Sequence, residues 1–431
     1  MKKEEQEKIK WRKLDNSAKL FPIISNKKFS SVFRLSVVLK EEIKKEILQI
    51  ALEETLDSFK PFKVKLKKGF FWYYFEENLK KPMVEEESTY PCRYIDKNEN
   101  QNYLFRVTYF KNKINFEVFH SLTDGNSASH FMKELTYHYL DLAHKELLNI
   151  SNRKKDRVVE FNNTEDEYIK NYDKKLSGHR NSKKAYILKG EKLPIYAVGV
   201  THQILNFNEL KALCKQKEVT VTQYLTSVLI EAIYQENYKN CHGNKPIKVC
   251  IPVNLKKYFN SSTIANFFSY ITVEANVEKN QLDSFEKILG FVKQDFQRKL
   301  TEEEVVKTMS SDVKLGNHML IRMIPLFLKK FTVKMSYTEI QKYTTTTFSN
   351  IGRIGILPEY KEYIENFMLL IAPERIEKIK CSACSFENKL VFTFTSILKE
   401  RKIEKAFFEH FKKEGISIKI ESNGVYEDVI S

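Results

Sequence analysis

Stretches of alternating apolar and polar residues are followed along the chain by stretches in which apolar residues recur every three or four positions. The first period marks strands and the second marks helices. Residues 30–39 read as a strand and 41–59 as a helix. In 61–67, Phe62, Val64 and Leu66 fall on one side and Lys63, Lys65 and Lys67 on the other. Residues 69–75 form a dense aromatic run, read as a core strand. Charged coil through Asn102 leads to a strand at 103–110 and a second at 113–119, then to a helix from about Ser127 to near Asn149. That helix places Phe131, Leu135, Tyr139 and Leu142 on one face. Residues 151–184 are charged and poor in apolar side chains, the composition of a crossover between two units. Beyond them come a strand at 202–207 and a helix capped by Thr222 with a stripe of Leu225, Val228, Leu229, Ala232 and Ile233. A strand at 247–254 ends near Pro252. Residues 318–335 read as an amphipathic helix, 344–352 as a strand turning at Gly352, 403–412 as a helix and 416–421 as a last strand.

One strand end carries candidate chemistry. Ile114, Phe116, Val118 and His120 alternate with Asn115, Glu117 and Phe119, so the imidazole belongs to the apolar face and sits where the strand stops. Asp124 follows four residues later, with Gly125 to permit a turn. An imidazole held against an apolar wall can act as a general base.

The chain also repeats itself. Phe110, Asn112, Lys113, Ile114 and Phe116 match Phe386, Asn388, Lys389, Leu390 and Phe392 at a constant offset of 276, and the same offset pairs Phe131 with Phe407. Both copies read as strand, tight turn, strand, break and helix, which predicts two units on one plan. In the second copy Ser396 stands in place of His120 and Glu400 in place of Asp124, so a single site is expected.

At 431 residues the chain exceeds one ordinary core, and 42% hydrophobic content with 31 Phe can fill two. The formal charge of +16 comes mostly from lysine and favours anionic partners. A nonenzymatic basic nucleic-acid-binding protein is the alternative class, but no Arg-rich or aromatic-interleaved motif supports it, and no nucleic-acid partner is expected. The first residues lack the apolar core of a signal peptide, and Arg322, Pro325, Lys329 and Lys330 interrupt the longest apolar run, so a cytoplasmic protein without a membrane span is expected. Six scattered cysteines do not form a disulfide framework. His130, Glu134 and His138 lack the His-Glu-x-x-His spacing, and no phosphate loop, dinucleotide fingerprint or nucleophile elbow is present.

His120-Ser-Leu-Thr-Asp124-Gly125 resembles the His-x-x-x-Asp-Gly motif of the chloramphenicol acetyltransferase-like superfamily, which includes alcohol acetyltransferases, wax ester synthases and the condensation domains of nonribosomal peptide synthetases. Residues 252–256 and 266–268 resemble the Pro-Val-Asn-Leu-Arg and Asn-Phe segments of alcohol acetyltransferase-like proteins, with Lys256 where Arg is usual. Residues 349–352 are similar to the family's Ser-Asn-x-Gly element.

The resemblance implies an α/β sandwich of two similar lobes with mixed sheets, residues 1–180 and 181–431, and an active-site channel between them. It implies an acyltransferase moving an acyl group, most simply acetyl, from acyl-CoA as co-substrate to a small-molecule alcohol or amine, with no permanently bound cofactor and no metal. His120 would be the base. Asp124 would pair with a basic residue and fix the loop, with Lys65 as first choice and Arg34 or Arg106 as substitutes. Ser349, Asn350 and Gly352 would face the reaction from the other lobe as oxyanion or substrate contacts. Phe119 stands where condensation domains have a second His, which favours an acetyltransferase-like member. An acyl carrier protein is the alternative donor partner, and a monomer is expected.

Overall fold

The computed structural model describes residues 10–96, 98–144, 161–176, 183–239, 245–277, 280–316 and 319–425. Two β-hairpins organise it. β6 (Phe105–Phe110) and β7 (Lys113–Phe119) form the first, and β13 (Ile379–Phe386) and β14 (Lys389–Ser396) the second. Lys111 and Glu387, again 276 apart, take positive φ at the two turns, +51° and +46°. A helix follows each hairpin, Gly125–Ala143 and Lys402–Lys413. Each helix lays a phenylalanine on its hairpin: Phe131 stacks on Phe116 with centroids 4.3 Å apart, and Phe407 stacks on Phe392 at 4.3 Å. All four rings are fully buried. Truncating any one to alanine would cost about 3–5 kcal/mol.

The remaining strands, in chain order, are β1 (Trp11–Lys13), β2 (Val32–Leu39), β3 (Val64–Lys68), β4 (Tyr73–Glu77), β5 (Val84–Glu86), β8 (Gly199–Asn206), β9 (Ile247–Asn254), β10 (Phe268–Ala275), β11 (Thr346–Arg353), β12 (Ile364–Ile371) and β15 (Ile418–Ser422). They build a five-stranded sheet, β12-β2-β7-β6-β5, a seven-stranded sheet, β10-β9-β11-β13-β14-β8-β15, and a small sheet, β1-β4-β3. Both large sheets mix parallel and antiparallel pairs. Around each lies a separate hydrophobic core. The mixed α/β, two-lobed architecture is therefore as expected, with one crossing. β12 lies beyond residue 180 yet pairs antiparallel with β2 in the first sheet, from Ile364 opposite Leu39 to Ile371 opposite Phe33. Its other side accepts from the second unit, Cys384 Sγ to the Phe367 carbonyl at 3.2 Å and Thr395 Oγ1 to that of Ile371 at 2.6 Å. A division at 180/181 thus leaves one strand of the first sheet on the wrong side.

Three further differences have local causes. The aromatic run is a strand only from Tyr73. Residues 69–72 form the turn joining β3 to β4, where Gly69 N–H donates to the Trp72 carbonyl at 2.9 Å and a Cβ on Gly69 would come within 2.6 Å of that oxygen. The helix Val221–Ile233 is capped by Thr220, whose hydroxyl accepts from Gln223 N–H while the Gln223 side chain accepts from Thr220 N–H. The amphipathic stretch divides at Pro325 into Met319–Met323 and Leu326–Ile340. The expected helix end near Asn149 and much of 151–184 lie outside the described residues. No helix among the described residues is long and apolar enough to cross a membrane.

Candidate active site

β7 delivers His120 one residue past its end, where the main-chain N–H donates to the Ser31 carbonyl at 3.0 Å. Three rings surround the half-buried imidazole. Phe21 stacks on it at 4.5 Å, Phe33 meets it at 5.1 Å with its plane inclined by 60°, and Phe268 lies 5.4 Å away. Burial among these rings pushes the imidazole below its ordinary pKa. Hydrogen bonding to its own main chain and to Asn266, with the charges of Asp124 and Asp15, opposes that shift. The net direction keeps the ring neutral near pH 7, the form a general base requires.

The hydrogen-bond network assigns the tautomer. His120 Nδ1 lies 3.1 Å from Asn266 Oδ1. The other end of that amide, Nδ2, donates to Asp15 Oδ2 at 3.0 Å, and Asn266 N–H donates to the same oxygen at 3.2 Å. Asp15 Oδ1 accepts from Ala18 N–H at 2.8 Å and from the Ser17 hydroxyl at 3.0 Å. Burial raises the Asp15 pKa while these four donors favour its anion. Because Nδ2 is committed to Asp15, the amide shows His120 its oxygen, which can only accept. Nδ1 therefore carries the proton, and Nε2 carries the lone pair.

Asp124 has a different set of partners. As the N-cap of Gly125–Ala143 it accepts from Ser127 N–H at 3.0 Å, and its second oxygen accepts from Phe267 N–H at 3.0 Å. Lys256 Nζ reaches both oxygens, at 2.9 and 2.8 Å, and donates to Ser127 Oγ at 2.6 Å. Both charged side chains are buried. Lys65, expected in this role, instead pairs with Glu76 across the small sheet at 2.8 Å. Arg34 and Arg106 both serve the buried carboxylate of Glu117, which they hold down to about 2 against its burial. All three alternatives are thus occupied in the first unit, and the cation comes from the β9–β10 connection of the second.

That connection wraps the whole loop. Lys256 holds Asp124, Asn266 holds His120, Phe267 N–H holds Asp124 again, and Thr123 Oγ1 donates to the Ile264 carbonyl at 2.6 Å. Asp15 and Asn266 were missed in the sequence. The resemblance of 252–256 and 266–268 to family segments was the available signal, and it pointed to this region without assigning the contacts.

β11 meets the loop from the other unit. Gly125 does not need a left-handed backbone, contrary to the turn expected of it; a Cβ there would stand 3.4 Å from Ile351 Cγ2, so its smallness admits β11. Gly352 does adopt φ +78°, at a break in register between β11 and β13. Asn350 holds that break: its Oδ1 accepts from Gly352 N–H at 2.9 Å, and its Nδ2 donates to Thr222 Oγ1 at 3.1 Å. Ser349, half-buried, has no hydrogen-bond partner for its hydroxyl among the described residues and shares by alternation the strand face of Ile351. A cavity of about 620 Å³ opens nearby, lined by Leu14, Lys19, Trp11, Trp72 and Arg322 among others, and not by His120.

Comparison with known proteins extends only to fold. No family model matches the sequence, and no curated protein matches it. Solved structures do match over nearly the whole chain. Polyketide synthase associated protein 5 from Mycobacterium tuberculosis matches with a TM-score of 0.57 at 13% identity, covering 92% of this chain and 96% of its own. TRI3 trichothecene 15-O-acetyltransferase from Fusarium sporotrichioides gives 0.60 at 9%, covering 93% and 94%. TRI101 from F. graminearum, complexed with coenzyme A and T-2 mycotoxin, gives 0.57 at 9%, covering 92% and 96%. The chain thus shares the two-lobed mixed α/β fold of these structures.

Proposed function

We propose that the protein is an acyltransferase that moves an acyl group from a CoA thioester to an alcohol or amine, with His120 as general base. The observation that carries this reading is the Asp15–Asn266–His120 chain, which protonates Nδ1, frees Nε2 and holds the ring between aromatic walls. The fold shared with TRI3 and with the coenzyme A-bound TRI101 supports the choice of donor.

In this mechanism the acceptor O–H or N–H donates to Nε2 and its heavy atom attacks the thioester carbonyl. Nε2 takes the proton as the new bond forms, and Asn266 Oδ1 receives a stronger hydrogen bond from the imidazolium. The tetrahedral oxyanion is met by the Ser349 hydroxyl from β11, with Asn350 and Gly352 shaping the strand that presents it. Collapse expels the CoA thiolate, which recovers the proton from His120. No covalent acyl-enzyme forms. Asp124 and Lys256 touch no reacting atom; they hold the loop.

The test is a thiol-release panel of acetyl-CoA and longer acyl-CoAs against alcohols and amines. Release that requires an acceptor, with the matching ester or amide found by mass spectrometry, supports the reading. Absence of acceptor-dependent release from every acyl-CoA would remove it.

A further inference from the structure

The helix Leu326–Ile340 is turned inside out. Of its residues only Leu326 and Lys329 are buried, while Phe327, Phe331 and Met335, four apart on one face, are 63%, 69% and 59% exposed. Leu328 and, at the end of the preceding helix, Met323 are also exposed. The buried lysine explains the arrangement. Lys329 Nζ donates to the Phe71 carbonyl at 3.0 Å and lies 3.4 Å from the centre of the Trp72 ring, while Leu326 N–H donates to the Phe70 carbonyl at 2.9 Å. The helix is thereby fastened to the β3–β4 turn, whose Phe70 is itself 70% exposed. Two segments more than 250 residues apart in sequence thus present one fixed apolar surface.

Its charge is mostly positive. Between Asp312 and Glu339 there is no acidic residue, whereas Lys314, Arg322, Lys330 and Lys334 fall in that interval beside the buried Lys329, and Lys68 precedes the turn. Glu339, near the helix end, is paired with Lys184 and Lys342, and Lys67 with Glu76. A soluble polyanion would account for the lysines and leave the aromatic residues in water. An apolar partner alone would account for the aromatic residues and leave the cations unmatched. An anionic lipid surface takes both, with phenylalanine and methionine entering the acyl boundary and lysine meeting phosphate. Trp11, 64% exposed, lines the adjoining cavity with Phe71, Trp72 and Arg322.

We propose that the face built from the helix Leu326–Ile340 and the turn at Phe70-Phe71 docks on the surface of an anionic phospholipid bilayer. The docking is interfacial: the helix has 15 residues, several of them charged, and lies across the surface. It does not depend on the acyl-transfer reading, and its test reads lipid binding alone.

The full chain is floated with vesicles of phosphatidylcholine, with and without phosphatidylglycerol, while tryptophan fluorescence is followed. Binding should be about tenfold stronger or more on the anionic vesicles and should weaken with salt. The triple variant Phe327→Ser, Phe331→Ser and Met335→Ser keeps every charge and alters only exposed positions, so it should melt like the parent. It should bind the anionic vesicles about tenfold more weakly or worse. Equal binding by parent and variant would show that charge alone acts, and would overturn the proposal. So would failure of the parent to bind, or a lipid-free dimer that the same substitutions dissociate.

Discussion

Replacing Asn266 with leucine, close in size but without an acceptor, interrogates the residue that sets the His120 tautomer. It removes the 3.1 Å contact to Nδ1 and one of the four donors to Asp15, leaving Asp15 the N–H groups of Ala18 and residue 266 and the Ser17 hydroxyl. In the ground state the lost bond is between neutral groups, worth about 0.5–1.5 kcal/mol; in the transition state the donor is an imidazolium, and such bonds are worth about 1.5–3 kcal/mol. The difference, about 1–1.5 kcal/mol, lowers turnover about 5–15-fold. Loss of the preferred tautomer adds to this, so a fall of about 10–100-fold in kcat is expected, with KM for the acyl donor little changed. The pH profile supplies a readout that mere loosening would not move. Burial already holds His120 below its ordinary value and the Asn266 contact opposes that shift. The acid limb of the wild-type rate should therefore fall below pH 6.5, and removing the contact should move it lower still. Steady-state kinetics from pH 5 to 8 on both proteins measures these shifts. A variant with wild-type kcat and an unmoved acid limb would refute the assignment of Asn266.

The ion pair offers a second comparison. Lys256→Met leaves the buried Asp124 carboxylate with two backbone donors and no cation, which should cost about 3–5 kcal/mol in denaturant unfolding and most of the activity. Lys65→Ala, which breaks only the partly exposed pair with Glu76, should change stability by no more than about 0.5–1 kcal/mol and leave turnover intact. Loss of activity in the second variant and not the first would reverse the assignment. On β11, Ser349→Ala should reduce kcat about 100–1000-fold without weakening donor binding, as for a lost oxyanion donor. Asn350→Ala should chiefly lower stability, by about 1–3 kcal/mol, because its amide holds Gly352 and Thr222. Equal kcat for wild type and Ser349→Ala would dismiss the hydroxyl from the reaction.

What could be read from the chain was what the chain decides locally. The alternation through Ile114, Phe116 and Val118 placed His120 on its wall, and the offset of 276 carried through to paired turns and paired ring stacks, because strand pleat and tight turns are set by near neighbours. Lys256, Asn266 and Asp15 stand 132, 146 and 105 residues from the groups they serve or from His120 itself, and no periodicity links such positions. Lys65 was expected because the resemblance puts it where relatives carry an arginine, yet a cross-strand glutamate satisfies it. The aromatic run at 69–75 carries the composition of a core strand, but the close approach at Gly69 bends it into a turn and turns Phe70 outward. β12 was not singled out in the sequence, and nothing in its own residues says that it completes the sheet of the other unit.

The central claim is that His120 Nε2 takes the acceptor proton, and the most direct test is kcat/KM of His120→Ala with the best acyl-CoA and acceptor from the panel. The account predicts a loss of about two to four orders of magnitude, with unchanged acyl-CoA affinity and a melting temperature close to that of the wild type. A correctly folded His120→Ala protein that transfers acyl groups at the wild-type rate would contradict it.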